Sequence, residues 1–214
     1  MRATRALVFD FNGTLSRDEP VLYKIYSELF AEHGRPLSEA DYYGRLAGNT
    51  EEAIIHGWLG VEGDELEALV EERVDRYVRA ADGSTVPLAV RDAVRHAASR
   101  VPVAIVSGAY RREIEPVVER AGLADAVGVL VAADDVTRGK PDPEGYLRAL
   151  EALADELEPA DVVAFEDTEA GIASARAAGL RCVAVRGTLP DERLAAAEAI
   201  VDEIDVELVR SLVG

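Results

Sequence analysis

The short apolar runs Ala6 to Phe9, Val101 to Val106, Val162 to Phe165 and Cys182 to Val185, with a weaker one at Val127 to Val131, constrain this chain more than anything else in it. They are rich in β-branched residues and none alternates polar with apolar, which marks strands buried on both faces of a parallel sheet. Between them, Ala89 to Ala98, Tyr110 to Ala121, Glu144 to Leu153 and Glu169 to Ala178 carry apolar residues at three- and four-residue spacing, and Gly122 and Gly179 are placed to close two of these helices. Strand and helix in alternation predict a doubly wound α/β fold. From about Pro20 to Ala81 the alternation stops and only helical periodicity remains. Val21, Leu22, Ile25, Tyr26, Leu29 and Phe30 form one apolar stripe, and Leu66, Leu69, Val70, Val74, Tyr77 and Val78 form another. The expected organisation is an α/β core of residues 1–15 and 84–214 with an all-helical cap domain, residues 16–83, inserted after the first strand. The linkers are the turn-rich segments Ser16 to Pro20 and Ala81 to Thr85.

Charge narrows the partners. Lys+Arg 23 against Asp+Glu 41 leaves a formal net charge of −18, with only two lysines, Lys24 and Lys140, and one pair of adjacent arginines, Arg111 and Arg112. Such a surface repels phosphate backbones and anionic headgroups, so neither nucleic acid nor a membrane surface is expected as a partner. No apolar run approaches the ~18 residues of a membrane span. The basic N-terminal stretch Met1 to Arg5 meets Asp10 too soon for a signal peptide, and the single Cys182 lies in a strand-like run, which fits a reducing cytoplasm. The chain is expected to be a monomer or a homodimer. An acidic protein that handles phosphate needs a cation at its site.

In an open parallel sheet, ligands bind beyond the carboxyl ends of the strands. The first strand runs into Asp10-Phe11-Asn12-Gly13-Thr14, where Asp10 is placed as a nucleophile or metal ligand, or as a turn cap. The second runs into Ser107-Gly108, which suits an anion at a helix N-terminus or an ordinary N-cap. Lys140 lies in the proline-stiffened Gly139-Lys140-Pro141-Asp142-Pro143, and the fourth strand ends on Glu166-Asp167, hard oxygen donors of the kind that hold Mg²⁺.

The order and placement of these segments, together with Phe165-Glu166-Asp167-Thr168 and Gly171, resemble the haloacid dehalogenase superfamily, in the branch of phosphoglycolate-type phosphatases and β-phosphoglucomutases. The resemblance covers nearly the whole chain. It implies a mostly parallel, Rossmann-like sheet with a helical cap and hydrolysis of small phosphorylated metabolites. By position it implies Asp10 as the nucleophile that forms an aspartyl-phosphate, with Gly13, Thr14, Ser107, Gly108 and Lys140 around the phosphoryl oxygens. Mg²⁺ is implied on Asp10, the main-chain carbonyl of Asn12 and Asp167, with Glu166 as a further direct or water-mediated ligand.

One position departs from the pattern. The family's phosphatases carry an acid/base Asp two residues after the nucleophile, where this chain has Asn12. An amide cannot titrate, and loss of a general acid/base typically costs about 10²- to 10⁴-fold. Three readings remain open: a phosphatase for acyl or aryl phosphates whose leaving groups need no acid; a proton supplied by Asp18, Glu19, His33 or His56, each of which also reads as a solvated side chain; or a regulatory protein that binds phosphometabolites without turnover. A sugar-phosphate mutase is the weaker alternative, because Ala47 and Glu51 stand where basic residues would hold a second phosphate, leaving only Arg45. A phosphonatase lacks its cap lysine, since Lys24 lies away from the specificity loop, and dehalogenation would leave Glu166 and Asp167 without a use.

Overall fold

In the computed structural model, which describes residues 3–153 and 157–214, the apolar runs become β1 (Ala6–Phe9), β2 (Val103–Val106), β3 (Val129–Val131), β4 (Val162–Glu166) and β5 (Arg181–Val185). Met1 and Arg2 of the basic N-terminal stretch lie outside the described residues. A further strand, β6 (Ala199–Val201), follows β5. The sheet has the order β3-β2-β1-β4-β5-β6, and every pairing is parallel. Chain order reverses between β1 and β4, which creates the crevice where such sheets take ligands.

Although no strand alternates polar with apolar, several alternate in size. Leu7, Phe9, Ile105, Phe165 and Val185 face one side, and Ala6, Val8, Ala104, Ala164 and Ala184 face the other. The larger residues pack under α5 (Leu88–Ala98), α6 (Arg111–Arg120) and the C-terminal helix (Val206–Val213). The alanine-rich side receives α7 (Glu144–Leu153) and α8 (Glu169–Ala177), which come close because there is little side chain between them and the sheet. Gly122 and Gly179 take positive φ of 70° and 85° just past the ends of α6 and α8, as their spacing predicts.

Between β1 and β2 the chain is helical: α1 (Glu19–Glu32), α2 (Glu39–Asp41), a π-helical turn (Tyr42–Leu46), α3 (Glu51–Leu59) and α4 (Gly63–Ala80). The expected stripes of α1 and α4 pack against each other, with Val21, Leu66 and Val78 partly exposed at their edges, and one charged residue sits inside them, Arg73, 2% exposed. The two connections to the sheet are tied together. Arg17 N donates to Thr85 O across 2.8 Å, and the Ser16 and Thr85 hydroxyls are hydrogen-bonded at 2.8 Å.

Candidate active site

Register brings the first two acidic residues together. Phe9 pairs with Phe165 and their rings stack 5.0 Å apart, so the next residues along, Asp10 and Glu166, stand side by side. The ladder runs one residue past β1, with Asp10 N donating to Phe165 O at 2.9 Å. Lys140 enters from the loop before α7 and bridges the pair, donating at 2.5 Å to both Asp10 Oδ1 and Glu166 Oε1, and at 3.1 Å to Val106 O. It is no surface lysine, for its side chain is 15% exposed. The loop that delivers it is anchored by Glu144, which accepts from the amides of Thr137 and Arg138. Tyr146 donates to Glu166 Oε1 at 2.6 Å and fixes the far end of this chain of contacts.

Asp167 completes the cluster. One carboxylate oxygen from each of Asp10, Glu166 and Asp167 lies within 4.8 Å of the others, and all three residues are buried. Asp167 accepts from Thr14 Oγ1 at 3.2 Å and from Thr188 Oγ1. Thr188, two residues beyond an arginine that follows β5, is a residue sequence reasoning missed, although the same rule of strand carboxyl ends points at it. Two glycines make room for the carboxylates. A Cβ on Gly13, whose φ is 74°, would overlap Asp167, and one on Gly171 would overlap Glu166.

The electrostatics are unbalanced. Three buried carboxylates face one ammonium. Burial and the neighbouring Asp10 and Glu166 charges hold Asp167 well above the usual carboxylate range. Burial also raises Asp10, against the pull of Lys140. For Lys140 burial works the other way, but Asp10 and Glu166 outweigh it and hold the ammonium above the ordinary lysine value. A cluster short of positive charge, built from hard oxygen donors, fits a divalent cation such as Mg²⁺.

Above the cluster lies a cavity of about 440 Å³, walled at the sheet end by Asp10, Asn12, Ser107 and Lys140 and on the helical side by Glu19 and Tyr42. Gly108 also lines it, whereas Gly13 and Thr14 do not. The Gly13 amide donates to Ser16 O at 2.7 Å, and the Thr14 hydroxyl is held by Asp167. Ser107 is not an N-cap, because α6 begins at Arg111 with Tyr110 preceding it, and its Oγ accepts from Ala109 N at 3.1 Å.

The four proton-source candidates part company. His33 and His56 are exposed and hydrogen-bonded to the local carbonyls of Leu29 and Val61. Asp18 is not solvated but fully buried, accepting from Asn12 Nδ2 at 2.8 Å, from Gly13 N at 3.3 Å and from the Tyr77 hydroxyl. Glu19 faces the cavity. Arg73 also lines it, paired with Glu51 at 3.2 Å and in contact with Glu113 of α6.

Residues 4–179 match the model of the haloacid dehalogenase-like hydrolases, and the chain belongs to that family. Within it the chain is a phosphatase. It is 33% identical over 206 residues to Validoxylamine A 7'-phosphate phosphatase of Streptomyces hygroscopicus subsp. limoneus, covering 94% of each chain. It is 35% identical over 192 residues to Protein CbbY of Rhodobacter capsulatus, covering 84% of each. The fold is shared with the crystal structure of CbbY from Rhodobacter sphaeroides in complex with phosphate, at a TM-score of 0.81 and 24% identity, over 97% of this chain and 96% of that one.

Proposed function

We propose that this chain is a Mg²⁺-dependent hydrolase of small phosphorylated metabolites that works through an aspartyl-phosphate on Asp10. The observation that carries the reading is the Asp10–Lys140–Glu166 chain of contacts at the floor of the cavity, with Asp167 beside it. Asp10 Oδ attacks phosphorus as the bond to the leaving oxygen breaks, and water then cleaves the acyl phosphate to release orthophosphate and restore the carboxylate. Lys140 and the loop of Ser107 and Gly108 hold the phosphoryl oxygens, and Glu166 with Tyr146 keeps the ammonium aimed at Asp10. Asp10, Asp167 and the main-chain carbonyl of Asn12 would hold Mg²⁺, with Glu166 as a further ligand, direct or through water. The chemistry such a cation supplies is neutralisation of charge on the phosphoryl oxygens, which dominates catalysis of phosphoryl transfer.

A further relative, 32% identical over 181 residues and covering 82% of each chain, is the phosphorylated carbohydrates phosphatase of Thermotoga maritima, which supports a sugar phosphate as substrate, and the cavity's volume accommodates a monosaccharide-sized group. The core of residues 1–15 and 84–214 would carry the chemistry and the helical cap of residues 16–83 would contact the rest of the substrate. A cytoplasmic location accords with such substrates, and among the described residues no helix is long and apolar enough to cross a membrane. Asn12 favours a second reading, a protein that binds phosphometabolites without turnover, and one experiment separates the two. Phosphate release is measured on acyl, aryl and sugar phosphates, with Mg²⁺ and after chelation, beside Asp10→Asn. Release that needs both Mg²⁺ and Asp10 establishes the hydrolase, and binding without release establishes the second reading.

A further inference from the structure

The site has a nucleophile, a phosphate clamp and a cation cluster, but Asn12 has no proton to give and its amide is committed to Asp18. Every other carboxylate of the floor is also occupied. Asp10 is the attacking group, Glu166 is held by Lys140 and Tyr146, and Asp167 by Thr14 and Thr188. Asp18 lies behind Asn12, closed in by its three donors, and does not line the cavity.

Glu19 differs from all of them. It lines the same cavity as Asp10, Ser107 and Lys140, entering from the opposite wall as the first residue of α1. Among the described residues its side chain has one hydrogen-bond partner, Tyr42, whose hydroxyl donates to Oε2 at 3.0 Å. That leaves Oε1 for whatever the cavity holds. Resting on the phosphatase reading above, we propose that Glu19 is the catalytic proton carrier of this site, in place of the residue at position 12.

In the first half-reaction Asp10 Oδ bonds to phosphorus, the bond from phosphorus to the ester oxygen breaks, and the Glu19 carboxyl proton passes to that oxygen so that it leaves as an alcohol. In the second, the Glu19 carboxylate takes a proton from the water that attacks phosphorus, and the bond from phosphorus to Asp10 breaks. Orthophosphate departs, and both carboxyl groups return to their starting states.

The surroundings suit a group that must first give and then accept. Glu19 is faced by the Asp18 carboxylate from the linker, the Tyr42 hydroxyl and the Tyr43 phenol from the π-helical turn, the Arg73 guanidinium from α4 and, across the cavity, the Asp167 carboxylate. Burial and Asp18 outweigh Tyr42 and Arg73 and push the Glu19 carboxyl up to about 7, where both protonation states are populated at neutral pH.

The test measures kcat and KM across pH, with saturating Mg²⁺, for acetyl phosphate, 4-nitrophenyl phosphate and glucose 6-phosphate, using the native protein, Glu19→Gln and Tyr42→Phe. Glu19→Gln should lower kcat about 10²-fold or more on the sugar phosphate and far less on the other two, whose leaving groups depart as stable anions, and should remove the pH limb near neutrality. Tyr42→Phe deletes the donor that favours the carboxylate, so it should move that limb upward. It also decides the matter if Glu19→Gln fails to fold. An equal fall on all three substrates, a change confined to KM, or a limb unmoved by Tyr42→Phe overturns the proposal while leaving the phosphatase reading intact. So does a native protein that hydrolyses the acyl and aryl phosphates but not the sugar phosphate under any condition. Absence of all Asp10-dependent release overturns both.

Discussion

The side-chain amide of Asn12 donates to the Asp18 carboxylate across 2.8 Å, joining the loop after β1 to the linker that opens the helical insertion. Both the order of this pair and its burial matter. In Asn12→Asp, two carboxyls meet where Asp18 is 0% exposed, and one of them must stay protonated or go unpaired. We expect a loss of about 1–3 kcal/mol that grows as pH rises. Adding Asp18→Asn restores an amide and a carboxylate with the partners exchanged, so the double variant should recover at least ~1 kcal/mol relative to the sum of the singles. Urea titrations of the two singles and the double decide it, and simple additivity would refute the pairing.

Lys140 is the one ammonium among three buried carboxylates. Lys140→Met should reduce phosphate release by about 10²-fold or more, the scale of losing a charge-stabilising donor. Mg²⁺ should bind at least as tightly as before, because the cluster has become more negative. Calorimetric titration with Mg²⁺ reads the second half of this prediction. Loss of cation binding together with activity would show that the lysine instead holds the whole site in shape.

Arg73, 2% exposed on its side chain, sits between Glu51 and Glu113, and the latter belongs to a helix on the sheet. Arg73→Met strands both carboxylates in the interior and should cost about 3–5 kcal/mol. Adding Glu113→Gln to that variant removes one of the stranded charges and should recover a large part of the loss. Denaturant midpoints of the native, single and double variants supply the comparison, and a double variant no better than the single contradicts the ion-pair assignment.

The raised Glu19 carboxyl has a consequence for stability as well. Between its unfolded value of ~4.3 and its folded value of about 7, the native protein holds more protons than the unfolded chain, so stability falls as pH rises through that window. The contribution, on the order of 3–4 kcal/mol over the whole window, is present below the window and absent above it. Metal-free protein should therefore melt higher at pH 6 than at pH 8, and Glu19→Gln should reduce the difference by Glu19's share, leaving the part that the buried Asp10 and Glu113 carboxyls contribute. A difference that survives the substitution unchanged would assign it to other groups.

The parts of this molecule that show in its sequence are those whose signal is local. Asp10, Glu166 and Asp167 each stand at the end of a recognisable strand and Lys140 in a proline-stiffened loop, and the parallel sheet does the rest by aligning strand ends. The strands themselves carried more information than their apolar character. The alternation of Leu7 and Phe9 with Ala6 and Val8 distinguishes the thick face of the sheet from the thin one before any helix is placed. What stays hidden depends on distant partners. Asp18 looks like a solvated linker residue until Tyr77, from the far end of the insertion, closes over it. Arg73 interrupts an apolar stripe, and nothing beside it in sequence says that Glu51 and Glu113 meet it from other elements. β6 is hidden for a different reason. Ala199, Ile200 and Val201 stand between Glu198 and Asp202, too few to show a period, and they form a strand only because β5 offers an edge.

The bonds that tie Ser16 and Arg17 to Thr85 also bear on how the chain finds its fold. Leu7 and Val103 are partners in the centre of the sheet, yet the whole helical insertion lies between them in the sequence. Closing a loop grows costlier only slowly with its length, by about 0.6 kcal/mol per doubling, so the insertion adds on the order of 1–2 kcal/mol to bringing these strands together by chance. If α1 and α4 pack first, the insertion's own ends arrive side by side, and what remains between β1 and β2 is a short tether on one side and the single crossover helix α5 on the other. The insertion then acts as a built-in loop clamp that hastens the pairing of β1 with β2. A separately produced segment of residues 18–83 that stays unfolded would remove that shortcut, whereas one that folds alone would show that the clamp can form before the sheet does.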